Sequence, residues 1–159
     1  MRFEKVSLHE FARWFPNDTQ EDIVKAYDNI KLPQRATPGS AGYDFFVPVD
    51  YVLRPGVDHM IPTGVKVVLD PGYFLMCVPR SSYGVKYNLR LLNTVGVVDE
   101  DFVNGDTEGH IFFPLTADRQ IDMCAGDRFM QGIIMKYGVV ENDTPIKNER
   151  IGGCGSTGG

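Results

Sequence analysis

Three short runs of this chain gather residue types that handle anions and activate water. The last ten residues read Arg150-Ile-Gly-Gly-Cys-Gly-Ser-Thr-Gly-Gly159, and five of them are glycine. Glycine lets backbone N–H groups turn toward an anion. Ser156 and Thr157 add hydroxyl donors, and Arg150 adds a charged fork for phosphate oxygens. A P-loop would run on into a lysine and a helix. The composition here predicts instead a flexible arm that orders over a phosphorylated ligand, with an ordinary polar tail as the plain alternative. The second run, Pro79-Arg-Ser-Ser-Tyr-Gly-Val-Lys86, follows an apolar stretch and reads as a turn. Arg80 offers a phosphate fork, Ser81 and Ser82 offer donors, and Gly84 permits close backbone approach. The third run, Asn93-Thr-Val-Gly-Val-Val-Asp-Glu-Asp-Phe102, has a β-branched apolar centre that predicts a buried hairpin. It ends in Asp99, Glu100 and Asp101, and a carboxylate at the mouth of such a hairpin suits a general base. Taken singly, a polar loop and a solvated acidic turn account for the second and third runs just as simply.

The elements that must position these runs have two textures. Residues 1–30 read as helical. Ser7 and Glu10 form a capping box before Phe11, Trp14 and Phe15, and Pro16 closes that helix. Thr19 and Asp22 open a second helix carrying Ile23, Ala26, Tyr27 and Ile30 at helical spacing. Beyond Leu32, prolines and glycines punctuate runs rich in Val, Ile, Phe and Tyr. Candidate strands are Tyr43–Val49, Gly64–Leu69, Tyr73–Val78, Leu89–Leu92, His110–Leu115 and Arg128–Tyr137. Their spacing predicts an all-β barrel or sandwich.

Composition narrows the function. An apolar fraction of 43% and a charged fraction of 23% over 159 residues suit one globular domain. The net charge of −5 lacks the basic footprint of a nucleic-acid binder. No run approaches the ~20 apolar residues of a membrane span, and Arg2, Glu4, Lys5 and Glu10 interrupt any leader pattern. The expectation is a cytoplasmic protein, or one of the host cytoplasm were the gene carried by a phage. His9, His59 and His110 form no closely spaced pair, and Cys77, Cys124 and Cys154 form no Cys-x-x-Cys, so neither zinc nor a disulfide framework is indicated. Cys77 and Cys124 read as small core residues. Trp14 and its neighbouring phenylalanines read as a staple between the first helix and the barrel, or alternatively as a face for a protein partner.

Together the islands resemble the trimeric all-β dUTPase family, whose five motifs occur in order over about residues 31–159. They are Ala36-Thr-Pro-Gly-Ser-Ala-Gly-Tyr-Asp44-Phe, the Pro79–Lys86 run, the Asn93–Phe102 run, Ala125-Gly-Asp-Arg128-Phe-Met-Gln131, and the Gly-rich run from Arg150. The resemblance implies a distorted jelly-roll core over 31–147, with the helical extension 1–30 and a Gly-rich arm 148–159. It implies a homotrimer, Mg²⁺, and hydrolysis of dUTP to dUMP and pyrophosphate by attack on the α-phosphorus. In that frame Asp99 activates the water, and Asp44 meets the metal through water. Arg80, Ser81, Ser82 and Gln131 hold phosphates, and Arg150, Ser156 and Thr157 close over the γ-phosphate. Asn93 and the backbone up to Val98 read uracil, and Phe102 packs under the deoxyribose.

Three departures stand out. Phe102 replaces the family's usual tyrosine. Residues 103–109 lengthen a link that is usually short. Cys154 stands where the family usually has the phenylalanine that stacks on uracil. Tyr87 is the candidate replacement ring, as in the dUTPases of a Gram-positive and phage subset. Two other readings remain at this level: a dCTP deaminase relative, which would need a glutamate that His110-Ile-Phe-Phe-Pro-Leu115 lacks, and a nucleotide-gated regulatory protein.

Overall fold

The computed structural model describes residues 1–145. The elements run β1 (Arg2–Lys5), α1 (Leu8–Ala12), α2 (Gln20–Asp28), β2 (Gly42–Phe46), β3 (Tyr51–Leu53), β4 (His59–Val68), β5 (Tyr73–Pro79), α3 (Ser81–Tyr87), β6 (Arg90–Leu91), β7 (Gly96–Val98), a 3₁₀ turn (Phe102–Asn104), β8 (Ile111–Thr116), β9 (Ile121–Met123) and β10 (Arg128–Lys136). One four-stranded sheet has the order β1-β4-β8-β6 and another β2-β10-β5-β7, with β3 and β9 forming a separate pair. Every strand pairing is antiparallel. The architecture is all-β and of jelly-roll type. Alternation along β8 shows why: Ile111, Phe113 and Leu115 are buried, while Phe112 and Pro114 are only partly so. Phe113 in β8 meets Phe45 in β2 and Phe129 in β10 edge-on, at centroid separations of 5.3 and 5.6 Å. These three rings join the two large sheets and bring the geometry that aromatic quadrupoles favour.

The six strands expected from sequence all form, with shifted ends. The first helices also start where their caps lie. Ser7 accepts from the Glu10 backbone N–H and Thr19 from that of Asp22. Residues 2–5 differ from expectation. They form a strand, not part of a helical segment, because Phe3 points in against Tyr43 and Phe45 while the chain pairs with β4. Four residues are too few to display a period in sequence.

The N-terminal segment docks into a bulge in β4. The register of β4 on β8 shifts between Pro62 and Val65. Gly64, at φ +71°, sits in that shift; a Cβ there would collide with Ile30 and come within 3.1 Å of Phe11. The missing side chain is therefore the socket for two apolar plugs. The Gly64 N–H donates to His110 Nε2 at 2.8 Å, so Nδ1 carries the proton that faces Glu10 Oε1 at 3.2 Å. Burial holds the His110 imidazole below its usual range, against the pull of the carboxylates Glu10 and Glu108. Arg13 on Glu10 and Lys66 beside Glu108 are cations of this cluster.

That tautomer has a measurable consequence. His110 stays neutral in the fold but titrates near 6.5 when unfolded, so below about pH 6.5 the unfolded chain binds more protons and stability falls. Thermal melts taken from about pH 7.5 down to about 5.5 should lose several degrees, and the slope should shrink in His110→Gln. Equal slopes in the two proteins would refute the assignment.

Candidate active site

Adjacent strands build the first half of the site. In the β2–β10 ladder Asp44 lies opposite Gln131, and in the β10–β5 ladder Met130 lies opposite Pro79. Arg80 therefore leaves β5 beside Asp44, with its backbone N–H held by the Phe129 carbonyl at 3.1 Å. The Asp44 carboxylate is 6% exposed. Its Oδ1 lies 3.0 Å from Arg80 Nε and its Oδ2 3.2 Å from Arg128 Nη1. Arg80 Nη1 also donates to the Arg128 carbonyl at 3.2 Å. One carboxylate thus fixes two guanidiniums, and Arg80 lines a groove of about 320 Å³. Ser40, Asp44, Arg80, Ser81 and Gln131 line that groove.

Ser81 and Ser82 occupy the first turn of α3. The sequence reading made this run a turn, and Gly84 and Val85 are indeed poor helix formers. The helix forms through its neighbours instead. Tyr83 and Tyr87, one helical turn apart, stack at 5.8 Å. Asn88 ends the helix in the left-handed region at φ 51°, with its N–H on the Tyr83 carbonyl. Tyr87 lines neither half of the site; its ring also carries Lys86 Nζ at 4.8 Å.

The second half lies where β7 leaves β5. A cavity of about 70 Å³ is walled by Asn93, Gly96, Val98, Phe102, Phe112 and neighbouring strand residues. Val98 and Phe102 are 8% and 7% exposed. The expected buried hairpin is corrected here. Leu92, Asn93, Thr94, Val95 and Val97 are exposed, and β6 and β7 pair with different sheets instead of with each other. The run is an arch between sheets, turned by Thr94 at φ 68°, and of its β-branched residues Thr94, Val95 and Val97 are exposed while Val98 is buried. Asp99 follows β7 directly, and its carbonyl accepts from the Phe102 N–H at 3.1 Å. Next to it Glu100 accepts from the Gly72 N–H at 2.6 Å. The Tyr137 phenol is pushed up first by its hydrogen bond to Glu100, then by burial and by the charges of Glu100, Asp99 and Asp101.

The structure therefore gathers Asp44, Arg80, Ser81 and Gln131 in one groove, and Asn93, Val98 and Phe102 in another cavity; Ser82 and Asp99 line neither, each being the residue that follows a lining one. Arg150, Ser156, Thr157 and Cys154 lie outside the described residues. Sequence reasoning gave Arg128 no role, although it sits in the fourth motif, and missed Phe112 as a cavity wall. It also placed Cys124 in the core. Of the two cysteines among the described residues Cys77 is buried, its thiol pushed up to about 12, and Cys124 is exposed in the turn after β9.

The dUTPase family model matches residues 28–158. The chain belongs to the dUTPase family. A deoxyuridine 5'-triphosphate nucleotidohydrolase of Lactococcus lactis subsp. lactis is 39% identical over 143 residues, covering 86% of this chain and 95% of that one. One of Leifsonia xyli subsp. xyli is 36% identical over 134 residues, covering 80% and 86%. Among solved structures, the dUTPase from Streptococcus mutans superposes with a TM-score of 0.69 at 32% identity, over 89% of this chain and all of that one. A mutant dUTPase from phage phi11 of S. aureus, described with a structural Mg(II) ion, shares the fold at a TM-score of 0.64 and 19% identity, over 76% and 93%. The activity of this dUTPase is hydrolysis of dUTP, that of a dUTP diphosphatase.

Asp44→Asn keeps the shape of the central carboxylate and removes its charge. Arg80 and Arg128 are 26% and 45% exposed, so solvent offsets part of the loss. We expect about 1–3 kcal/mol lower stability in denaturant unfolding and about 10- to 100-fold slower pyrophosphate release. Wild-type values in both would remove Asp44 from its organising place.

Proposed function

We propose that this chain cleaves dUTP to dUMP and pyrophosphate at sites completed between subunits of a homotrimer, with Asp99 activating the attacking water. The observation that carries the reading is that the Arg80 groove and the Asn93 cavity have no lining residue in common. A single nucleotide needs both a phosphate cradle and a base pocket. Copies packed side by side bring the groove of one against the cavity of the next.

In this arrangement Arg80, Ser81, Ser82 and Gln131 bind the α- and β-phosphates. Asn93 and the backbone to Val98 read the uracil edge, and their fixed donors and acceptors exclude the cytosine amine. Phe102 keeps the steric wall that rejects a 2′-hydroxyl. Asp99 takes the proton from water as oxygen attacks the α-phosphorus in line, and the pyrophosphate leaves opposite. Arg150, Ser156 and Thr157 of a third copy close over the γ-phosphate. Tyr87 caps the base, since Cys154 cannot stack.

Magnesium fits this donor set in one way. No cluster of three or more His, Cys, Asp or Glu able to hold a metal occurs among the described residues. A single buried carboxylate, Asp44, faces the groove with both oxygens engaged by arginines. Magnesium keeps much of its water and is bound by one or two carboxylates plus substrate phosphates. Asp44 would hold it through water on the triphosphate, where the ion neutralises charge and orients the phosphates. No helix among the described residues is long and apolar enough to cross a membrane, and we place the enzyme in the cytoplasm, the host's if its gene is phage-borne.

The test pairs two measurements. Incubation with dUTP and with dCTP should release pyrophosphate from dUTP alone and no ammonia from dCTP. Asp99→Asn should still bind a non-hydrolysable dUTP analogue and turn over about 100- to 10,000-fold more slowly. Near-normal turnover in that variant would dismiss Asp99 as the base.

A further inference from the structure

We propose that residues 7–14, which precede the family-matched region, are a positioning element for the base pocket, acting through Trp14 on Phe112. The inference rests on the reading of the Asn93 cavity as the place of the base. The family match begins at residue 28, so nothing in that family's pattern assigns these residues a task.

The segment grips the C-terminal end of the lengthened link 103–109, at Glu108 and at His110 just beyond it. At its start Ser7 donates to Glu108 from its N–H at 2.9 Å and from its hydroxyl at 2.5 Å. Glu108 and Gly109 both lie at positive φ, 55° and 73°. A Cβ on Gly109 would stand 2.6 Å from Val103 Cα, so the link is folded tightly back onto the residue after Phe102. Glu108 thus pins a loop whose first turn carries a wall of the cavity.

At its far end the segment buries a charge. Glu10 is 3% exposed and His110 1%. The Glu10 carboxylate receives His110 Nδ1 at 3.2 Å, Arg13 Nη1 at 2.8 Å and Trp14 Nε1 at 3.4 Å. Burying a carboxylate costs several kcal/mol unless donors surround it, and here they fix the indole in one orientation. The Trp14 ring lies 5.0 Å from Phe112 and 5.6 Å from His110. Phe112 in turn lines the cavity with Asn93, Val98 and Phe102. Trp14 therefore touches one wall of the pocket, Phe112, directly, and Ser7 reaches the other, Phe102, only through the link that Gly109 folds back onto Val103. Such support shapes ground-state and transition-state binding alike, so its loss belongs in KM.

Trp14→Ala and Trp14→Phe separate positioning from simple stapling. Steady-state hydrolysis of dUTP by the full chain should show KM raised about tenfold in Trp14→Ala, with kcat changed by less than about twofold. Trp14→Phe, which keeps a ring on Phe112, should recover most of the affinity. A lowered melting temperature in Trp14→Ala with wild-type KM would overturn the proposal and leave only a staple. Should Trp14→Ala fail to fold, the wild-type chain decides, because Trp14 is its sole tryptophan. Its emission should change as a non-hydrolysable dUTP analogue saturates the protein by calorimetry. Unchanged emission at saturation would overturn the proposal. Absence of both binding and turnover in the wild-type chain would instead overturn the reading of the site itself.

Discussion

The Asp44 carboxylate is the interaction on which the rest of the site depends. It sits at the middle of β2, faces Gln131 across the ladder, and receives one arginine from just past the end of β5 and another from the start of β10. Three adjacent strands bring these groups to one spot, and like charges would keep Arg80 and Arg128 apart without an anion between them. The cost of burying one carboxylate is met by two charged donors, and the return is a guanidinium with a fixed edge. The sheet supplies the precision, since antiparallel register places the three side chains to within one residue.

The same division of labour recurs in the core. The Phe45–Phe113–Phe129 ladder ties both sheets together without a polar atom, so the groove and the arch stand on one rigid body. Flexible chemistry is kept to the edges. The residues after β7 turn on backbone hydrogen bonds and on Glu100, which reaches the turn before β5 and the phenol at the end of β10.

Much of this was readable from residue order because it is local. Caps at Ser7 and Thr19 announced two helices, and the apolar, phenylalanine-rich run in residues 110–115 announced β8. The five motifs carried the residues proposed for the site, since each has its own polar group and its own glycine. What escaped was set by distance. Strand β1 has too few residues for a period and exists because β4 offers it an edge. Helix α3 contains Gly84 and Val85, and it is held by a tyrosine pair and an asparagine cap that propensity does not count. The arch at Asn93 looked buried because its residues are β-branched, but that composition does not say whether the apolar face meets its own chain. Arg128 and Phe112 gained meaning only once the ladders set them beside Asp44 and Trp14.

The bulge at Gly64 carries a consequence for descent. A glycine there is an empty socket, filled by Phe11 from α1 and by Ile30 just after α2. A lineage that shed those first helices would be left with a partly uncovered notch and a glycine without a task. A lineage that changed the glycine to any larger residue would evict both plugs. The three positions are therefore expected to be inherited as a set, gained together and lost together.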